Sequence, residues 1–187
     1  MKTLVQDTQA PLRSLYRATP ALAMVTDHAR TWGADPADPF HSRVEPMDGC
    51  GVAVPIGVHR AIGGMHDAPT PGDMLCAALA ACQDSAVRMV ANRLGVEILS
   101  LEVRVTAQVD VRGAMGIDAQ VPVGFQSMNC DVHLQVKDGT PPKLREVLES
   151  AAKRCCVVQQ TLHHPPPVMT RFVATGTVRP ENPLGTA

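Results

Sequence analysis

Aromatic side chains are nearly missing from this chain: 3 Phe, Trp32 and Tyr16 make up 3% of its 187 residues. A platform for single-stranded nucleic acid needs a series of aromatic faces, and none can be assembled here. Charge of one sign is missing too, because 17 Lys and Arg against 18 Asp and Glu leave a formal net charge of -1. Such a balance gives no long-range pull toward phosphate backbones or anionic lipid. No uninterrupted apolar run reaches the roughly 20 residues of a membrane span, and the start MKTLVQDTQAPLRS lacks the apolar middle of a secretory signal. These absences predict a cytoplasmic chain with no nucleic acid and no membrane among its partners.

Paired C-x-x-C spacing is also missing. The six cysteines, Cys50, Cys76, Cys82, Cys130, Cys155 and Cys156, do not form the pairs of a closed zinc site. A reducing cytosol would keep them from being a disulfide framework.

What is present is a hydrophobic content of 45% with 19% charged residues, the balance of a globular chain. A single domain is expected over 1–187: an N-terminal segment to about residue 45, a core over 46–178 and a tail over 179–187. PLRSLYRATPALA has weak helical spacing and AMVTDHARTW reads as a strand. FHSRVEP, GCGVAVPIGV and the Gly63-Gly64 turn read as a short antiparallel meander. From Pro71 to Gly95 the residues Leu75, Leu79, Cys82, Ala86, Met89, Val90 and Leu94 recur at three- and four-residue steps. They predict a helix with these side chains inward, Pro71 and Asp73 in its first turn and Gly95 as its stop.

Strict alternation from Leu101 to Val111, and again from Met128 to Val136, predicts two half-buried strands. A second helix is expected over TPPKLREVLESAAKRCCVVQQTL, capped by Thr140, with Leu144, Val147, Leu148, Ala151 and Cys155 as its apolar stripe. TRFVATGTV reads as a last strand and RPENPLGTA as a frayed tail. Strand runs separated by only two long helices argue for an α+β fold with antiparallel sheets.

Three stretches go beyond generic patterning: IGGMHDAPTPGDMLCAALAAC, VRMVANRLGVEILSLEVRVTAQVDVRG and, some seventy residues on, KRCCVVQQTL. Over roughly residues 50 to 165 they resemble the signature regions of the OsmC/Ohr family of thiol-dependent hydroperoxide reductases. The resemblance implies an intertwined homodimer in which two long central helices carry the redox cysteines, with no metal or organic cofactor. It places the first family cysteine at Cys82 and the second at Cys156, counted back from Thr161-Leu162, with Cys155 as an extra. It also implies an N-terminal arginine that activates the first thiol and an acidic residue that orients it. Arg43 has about the right separation from Cys82, with Arg30, Arg17 and Arg60 as competitors. Gly72 stands at the family's glutamate position, which leaves Asp73 as the neighbouring carboxylate.

The chemistry explains why these residue types are needed. A free thiol with a pKa near 8.5 is mostly protonated at neutral pH, and only its thiolate attacks an O–O bond. Cys82 sits too far along its helix for the helix N-terminus to help, so it needs a cation. Oxidised by an organic hydroperoxide to a sulfenic acid, it would be resolved by Cys156 to a disulfide, and an external dithiol would restore both thiols.

Plainer readings stand beside these. Cys76 and Cys130 read as small core residues, Cys50 as an exposed turn thiol, Asp73 as a helix-start residue and Asp84 as solvent-facing or interfacial. Two other functions use the same residues. His59, His66, His133, His163 and His164 could join Cys82 and Cys155-Cys156 in a transition-metal site. Alternatively, the fold could serve as a carrier of small molecules or sulfur species.

Overall fold

The structure, a computed structural model, describes residues 3–33 and 35–173. Helix α1 (Leu4–Ala18) opens the chain, longer than the weak spacing of PLRSLYRATPALA predicts. Thr3 and Gln6 close a capping box at its start, which satisfies N–H groups that a first turn leaves without partners. The same turn grips the end of the second helix: Val5 N–H donates to Asn92 Oδ1 at 2.9 Å, and Gln6 Nε2 to the Arg93 carbonyl at 2.9 Å.

Strands β1 (Ala29–Trp32), β2 (Ser42–Pro46) and β3 (Val54–Ile56) form an antiparallel sheet in sequence order, the predicted meander. Arg30 stands opposite Glu45 in the register, and its Nε lies 2.7 Å from Glu45 Oε2. Glu45 is buried, and it also accepts from the Gly51 N–H at 2.9 Å. Its carboxyl is thereby held below the usual range, first by the Arg30 hydrogen bond and then by Gly51. The chain leaves β3 through a tight reversal at Gly63-Gly64. A side chain at Gly64 would put its Cβ 2.1 Å from the Val58 carbonyl oxygen, so only glycine fits.

Helix α2 (Pro71–Leu94) has the predicted boundaries. Thr70 caps it in a box with Asp73, Pro71 fills the first turn, and Gly95 ends it at φ 71°. By length and composition α2 could cross a membrane. Here its Leu79, Ala86, Val87, Val90 and Ala91 are instead buried, against the remaining helices and strands.

Strands β4 (Ile98–Gln108) and β5 (Ser127–Val136) pair antiparallel. The first ends earlier than alternation predicts: Asp110 accepts from the Arg112 N–H and starts the short helix α3 (Val111–Ala114), which takes Val109 and Val111 out of the strand. Helix α4 (Pro142–Cys155) follows, with Pro141 at the cap position. The expected Thr140 cap is corrected, because its Oγ1 donates to the Lys137 carbonyl at 2.6 Å and closes the preceding turn.

The expected single helix is in fact two, broken at Cys156 (φ -74°, ψ 101°) and resumed as α5 (Val157–His163). Of the predicted last strand, Thr170–Val173 are irregular and the rest lies outside the described residues, as does the predicted tail.

Two connected clusters make the core. One holds Leu79, Ala86, Val87, Ala152 and Cys156, the other Val90, Ala91, Val96, Leu148 and Ala151. Both join α2 to α4, with β4 and β5 side chains packed against them. Two expected core residues of α2, Leu75 and Met89, are exposed in the single chain.

Leu148 is fully buried between α2 and the β4–β5 hairpin. Leu148→Ala should therefore destabilise the protein by roughly 2–5 kcal/mol, read as a lower urea midpoint at fixed protein concentration.

Candidate functional site

Cys82 stands in the middle of α2 and Cys156 at the break between α4 and α5. The fold brings them together: Cys156 is part of the buried cluster of Leu79, Ala86, Val87 and Ala152, and Cys82 packs against that cluster from α2. Cys130, on the core face of β5, packs against it as well. Three thiols distant in sequence therefore pack around one apolar cluster.

The break fixes Cys156. Its N–H still donates to the Ala152 carbonyl at 3.1 Å, and its own carbonyl accepts from the Gln160 N–H at 3.0 Å. The residue thus ends one helix and starts the next. Cys156 is 0% exposed, whereas Cys155 is exposed. This corrects the periodicity reading, which placed Cys155 in the apolar stripe. The core face of α4 runs through Leu148 and Ala152 in steps of four and reaches Cys156 at the next step, leaving Val147 and Cys155 to the outer side.

Burial pushes the Cys156 thiol up to about 11. The Gln159 N–H offsets part of this, and the neighbouring Cys82 and Cys130 side chains add to it. Burial, followed by the charge of Asp131, raises the Cys130 thiol, and burial with Asp73 raises Cys76. Cys156 is therefore held as the protonated thiol at neutral pH. The Asp84 carboxylate, two residues beyond Cys82, is paired with Arg88 at 2.6 Å and 3.1 Å.

The other two expected site residues lie elsewhere in the chain. Arg43 is exposed on β2, opposite Trp32 and Pro55. Among the described residues no hydrogen bond joins it, or any other arginine, to Cys82. Arg30 is taken by Glu45, by Asp48 at 2.8 Å and by the Trp32 ring at 5.4 Å, and Arg60 donates to the Met65 carbonyl at 3.0 Å. Arg17 closes the last turn of α1. Asp73 acts as a cap: its Oδ2 accepts from Thr70 N–H and Thr70 Oγ1, both at 2.8 Å, which hold its carboxyl below the usual range. Nine residues of helix separate it from Cys82, about 13 Å along the axis.

Gln83 was not singled out as a site residue from the sequence. It is 3% exposed, and among the described residues no donor reaches its Oε1. It lines a cleft of about 430 Å³ between β5 and α4, together with Cys130, His133, Leu134, Leu148 and Lys153. The histidines do not gather. His59 and His66 lie tilted against each other with ring centroids 4.5 Å apart near the start of α2, His163 and His164 meet edge to face at 6.4 Å, and His133 is on β5. Among the described residues no three His, Cys, Asp or Glu side chains converge as metal ligands.

The family model described as OsmC-like protein matches residues 64–171, more than half of the chain. No curated protein matches significantly. Several solved structures share the fold. An OsmC-like protein from Mycoplasma pneumoniae superposes with a TM-score of 0.59 at 12% identity, covering 75% of this chain and 89% of its own. An organic hydroperoxide resistance protein from Legionella pneumophila gives 0.54 at 20% identity, covering 75% and 91%. Another from Elizabethkingia anophelis gives 0.55 at 17%, covering 76% and 91%. At these identities the likeness is one of fold.

The burial of the two vicinal thiols is opposite, so their reactivity should be too. Brief iodoacetamide treatment of native protein at pH 8 should alkylate Cys155 and leave Cys156 free, read by peptide mass. Equal labelling would contradict the placement of Cys156.

Proposed function

The chain belongs to the OsmC-like family, and on that basis we propose that it is a thiol-dependent hydroperoxide reductase with Cys82 as the attacking and Cys156 as the resolving thiol. The observation that carries this reading is the meeting of these two cysteines, from separate helices, around one apolar cluster. Organic hydroperoxides suit such surroundings better than hydrogen peroxide does.

The steps follow from the residues. The Cys82 thiolate attacks the distal oxygen of ROOH, the O–O bond breaks, and ROH leaves once its alkoxide takes a proton. Cys82 is then a sulfenic acid. Cys156 attacks that sulfur, the hydroxyl leaves as water, and a disulfide joins α2 to the α4–α5 break. An external dithiol reduces the disulfide and is itself oxidised. A raised Cys156 stays a thiol and does not compete for peroxide; as its sulfur closes on that of Cys82, its proton passes to the departing hydroxyl.

A second protomer completes the site in this reading. The accessible surface is 14360 Å² for a chain of 19.9 kDa, against about 8,700 Å² expected of a folded monomer of that mass. Granting roughly 150 Å² to each residue outside the described set still leaves an excess of about 3,000 Å². That excess is well beyond the 800 Å² or so per partner of an ordinary dimer interface. The β1–β2–β3 sheet packs chiefly on itself and not on its own helices. In an intertwined homodimer, Arg43 on that sheet is available to the Cys82 thiol of the other protomer, where a cation would favour the thiolate. A reducing compartment such as the cytoplasm suits six free thiols.

One observation favours a second reading, a small-molecule carrier: the unpaired Gln83 Oε1 at the cleft between β5 and α4 would accept from a bound donor.

Consumption of tert-butyl hydroperoxide with dithiothreitol as reductant separates the two. Wild type should turn over and Cys82→Ser should fall to background. Cys156→Ser should accumulate a Cys82 sulfenic acid that dimedone traps. Arg43→Ala should slow the first oxidation by about tenfold or more, the effect of one pKa unit. Equal rates for Cys82→Ser and wild type would refute the reductase, and an inert wild type that retains a small molecule would favour the carrier.

A further inference from the structure

His41 sits between two carboxylates. Its Nδ1 is 2.7 Å from Asp38 Oδ2 and its Nε2 is 3.1 Å from Asp67 Oδ1. Both contacts have hydrogen-bond length, and a carboxylate only accepts. A neutral imidazole has one N–H, so it can serve one of these partners while turning a lone pair on the other. Satisfying both requires a hydrogen on each ring nitrogen, and therefore the imidazolium form.

The surroundings fit that state. Asp38 is aimed at the ring by its own turn, since its Oδ1 accepts from the Phe40 N–H at 2.8 Å and its N–H donates to the Asp35 carbonyl at 3.1 Å. Asp38 and Asp67 are the charged groups that act on His41, and His66, next to Asp67, turns toward Asp73 at 3.7 Å instead. The histidine is raised, first by Asp38 and then by Asp67. The carboxyls are lowered, Asp38 first by the Phe40 N–H and then by His41, Asp67 first by His41.

The contact spans 26 positions and ties different parts of the chain. His41 immediately precedes β2, and Asp67 lies in the segment that enters α2 through Pro69 and the Thr70 cap. The same segment is also held by backbone pairing to the residues that follow β3, with Gly57 N–H donating to the Pro69 carbonyl at 2.9 Å and His66 N–H to the Val58 carbonyl at 3.0 Å.

We propose that His41 is a pH-operated clamp: doubly protonated it fastens the start of β2 to the segment leading into the thiol-bearing helix, and on losing a proton it lets go of one side. The sign follows from the two kinds of group. A raised histidine contributes fully below its ordinary value near 6.5, and that contribution is lost as pH climbs through the raised one. The lowered carboxylates contribute above their ordinary range and lose their share as pH falls through the lowered values. The clamp is thus closed between the lowered range of the carboxyls and the raised value of the histidine, and it opens as pH climbs through the latter. Arg43, two residues beyond His41, would be loosened with it, so the link to peroxide chemistry rests on the reductase reading while the clamp itself does not.

A ring-nitrogen NMR titration of His41, run alongside hydrogen exchange of residues 38–41 and 66–69, tests the clamp without any assay of activity. The wild-type midpoint should lie above 6.5, and Asp38→Asn and Asp67→Asn should each move it down toward that value. Exchange of both segments should speed up together as pH passes the wild-type midpoint, after correction for the intrinsic rate. A midpoint at or below that of an unperturbed histidine, or corrected exchange that ignores the transition, would overturn the clamp. Peroxide turnover measured across the same transition reports on the reductase reading separately.

Discussion

The architecture depends on the close seating of α2 against α4 over the β4–β5 hairpin. Ala86, Ala91, Ala151 and Ala152 are buried at this seam, and their small side chains let the two helices approach. Leu148 fills the space on one side, and Cys156 fills it on the other. A cysteine is among the most readily buried residue types and packs as a small hydrophobe. The same position therefore serves packing and, in the proposed chemistry, a redox step. Burial keeps the Cys156 thiol protonated, so in the proposed chemistry it does not compete for peroxide.

Position along each helix decides how these thiols are held. Cys82 is in the middle of α2, where its backbone is fixed by helical hydrogen bonds on both sides. Cys156 is at a break, where one residue leaves helical geometry and the chain resumes as α5. A disulfide between them would need its α-carbons within about 7 Å, and a residue at a helix break can shift more readily than one in mid-helix. The stationary partner would attack the peroxide and the adjustable one would close the bond.

The helices and the paired strands were legible in the sequence because their signals are local. Period and capping residues located α2, from Pro71 to the Gly95 stop, and alternation located β4 and β5. The misreadings came where a local rule met a longer constraint. Asp110 ended β4 by capping a new turn, and Thr140 closed a turn where a cap was expected. Cys155 satisfied the stripe by counting, but the buried face had already shifted to Leu148, Ala152 and Cys156. Family spacing pointed to Cys156 where periodicity did not. Leu75 and Met89 read as core yet lie on the surface of the single chain, as they would if a second protomer covers that face. The partners of His41 and the unpaired Oε1 of Gln83 were out of reach, because each depends on side chains brought together across the fold.

The central claim is that Cys82 and Cys156 act as a redox pair, and the linkage formed on oxidation tests it most directly. One equivalent of an organic hydroperoxide, acid quenching, alkylation of the remaining thiols and non-reducing peptide mapping would identify it. The account predicts a peptide carrying Cys82 joined to one carrying Cys156 within a single protomer, with Cys50, Cys76, Cys130 and Cys155 recovered alkylated. A disulfide that omits Cys82, or a fully alkylated Cys82 after peroxide has been consumed, would contradict it.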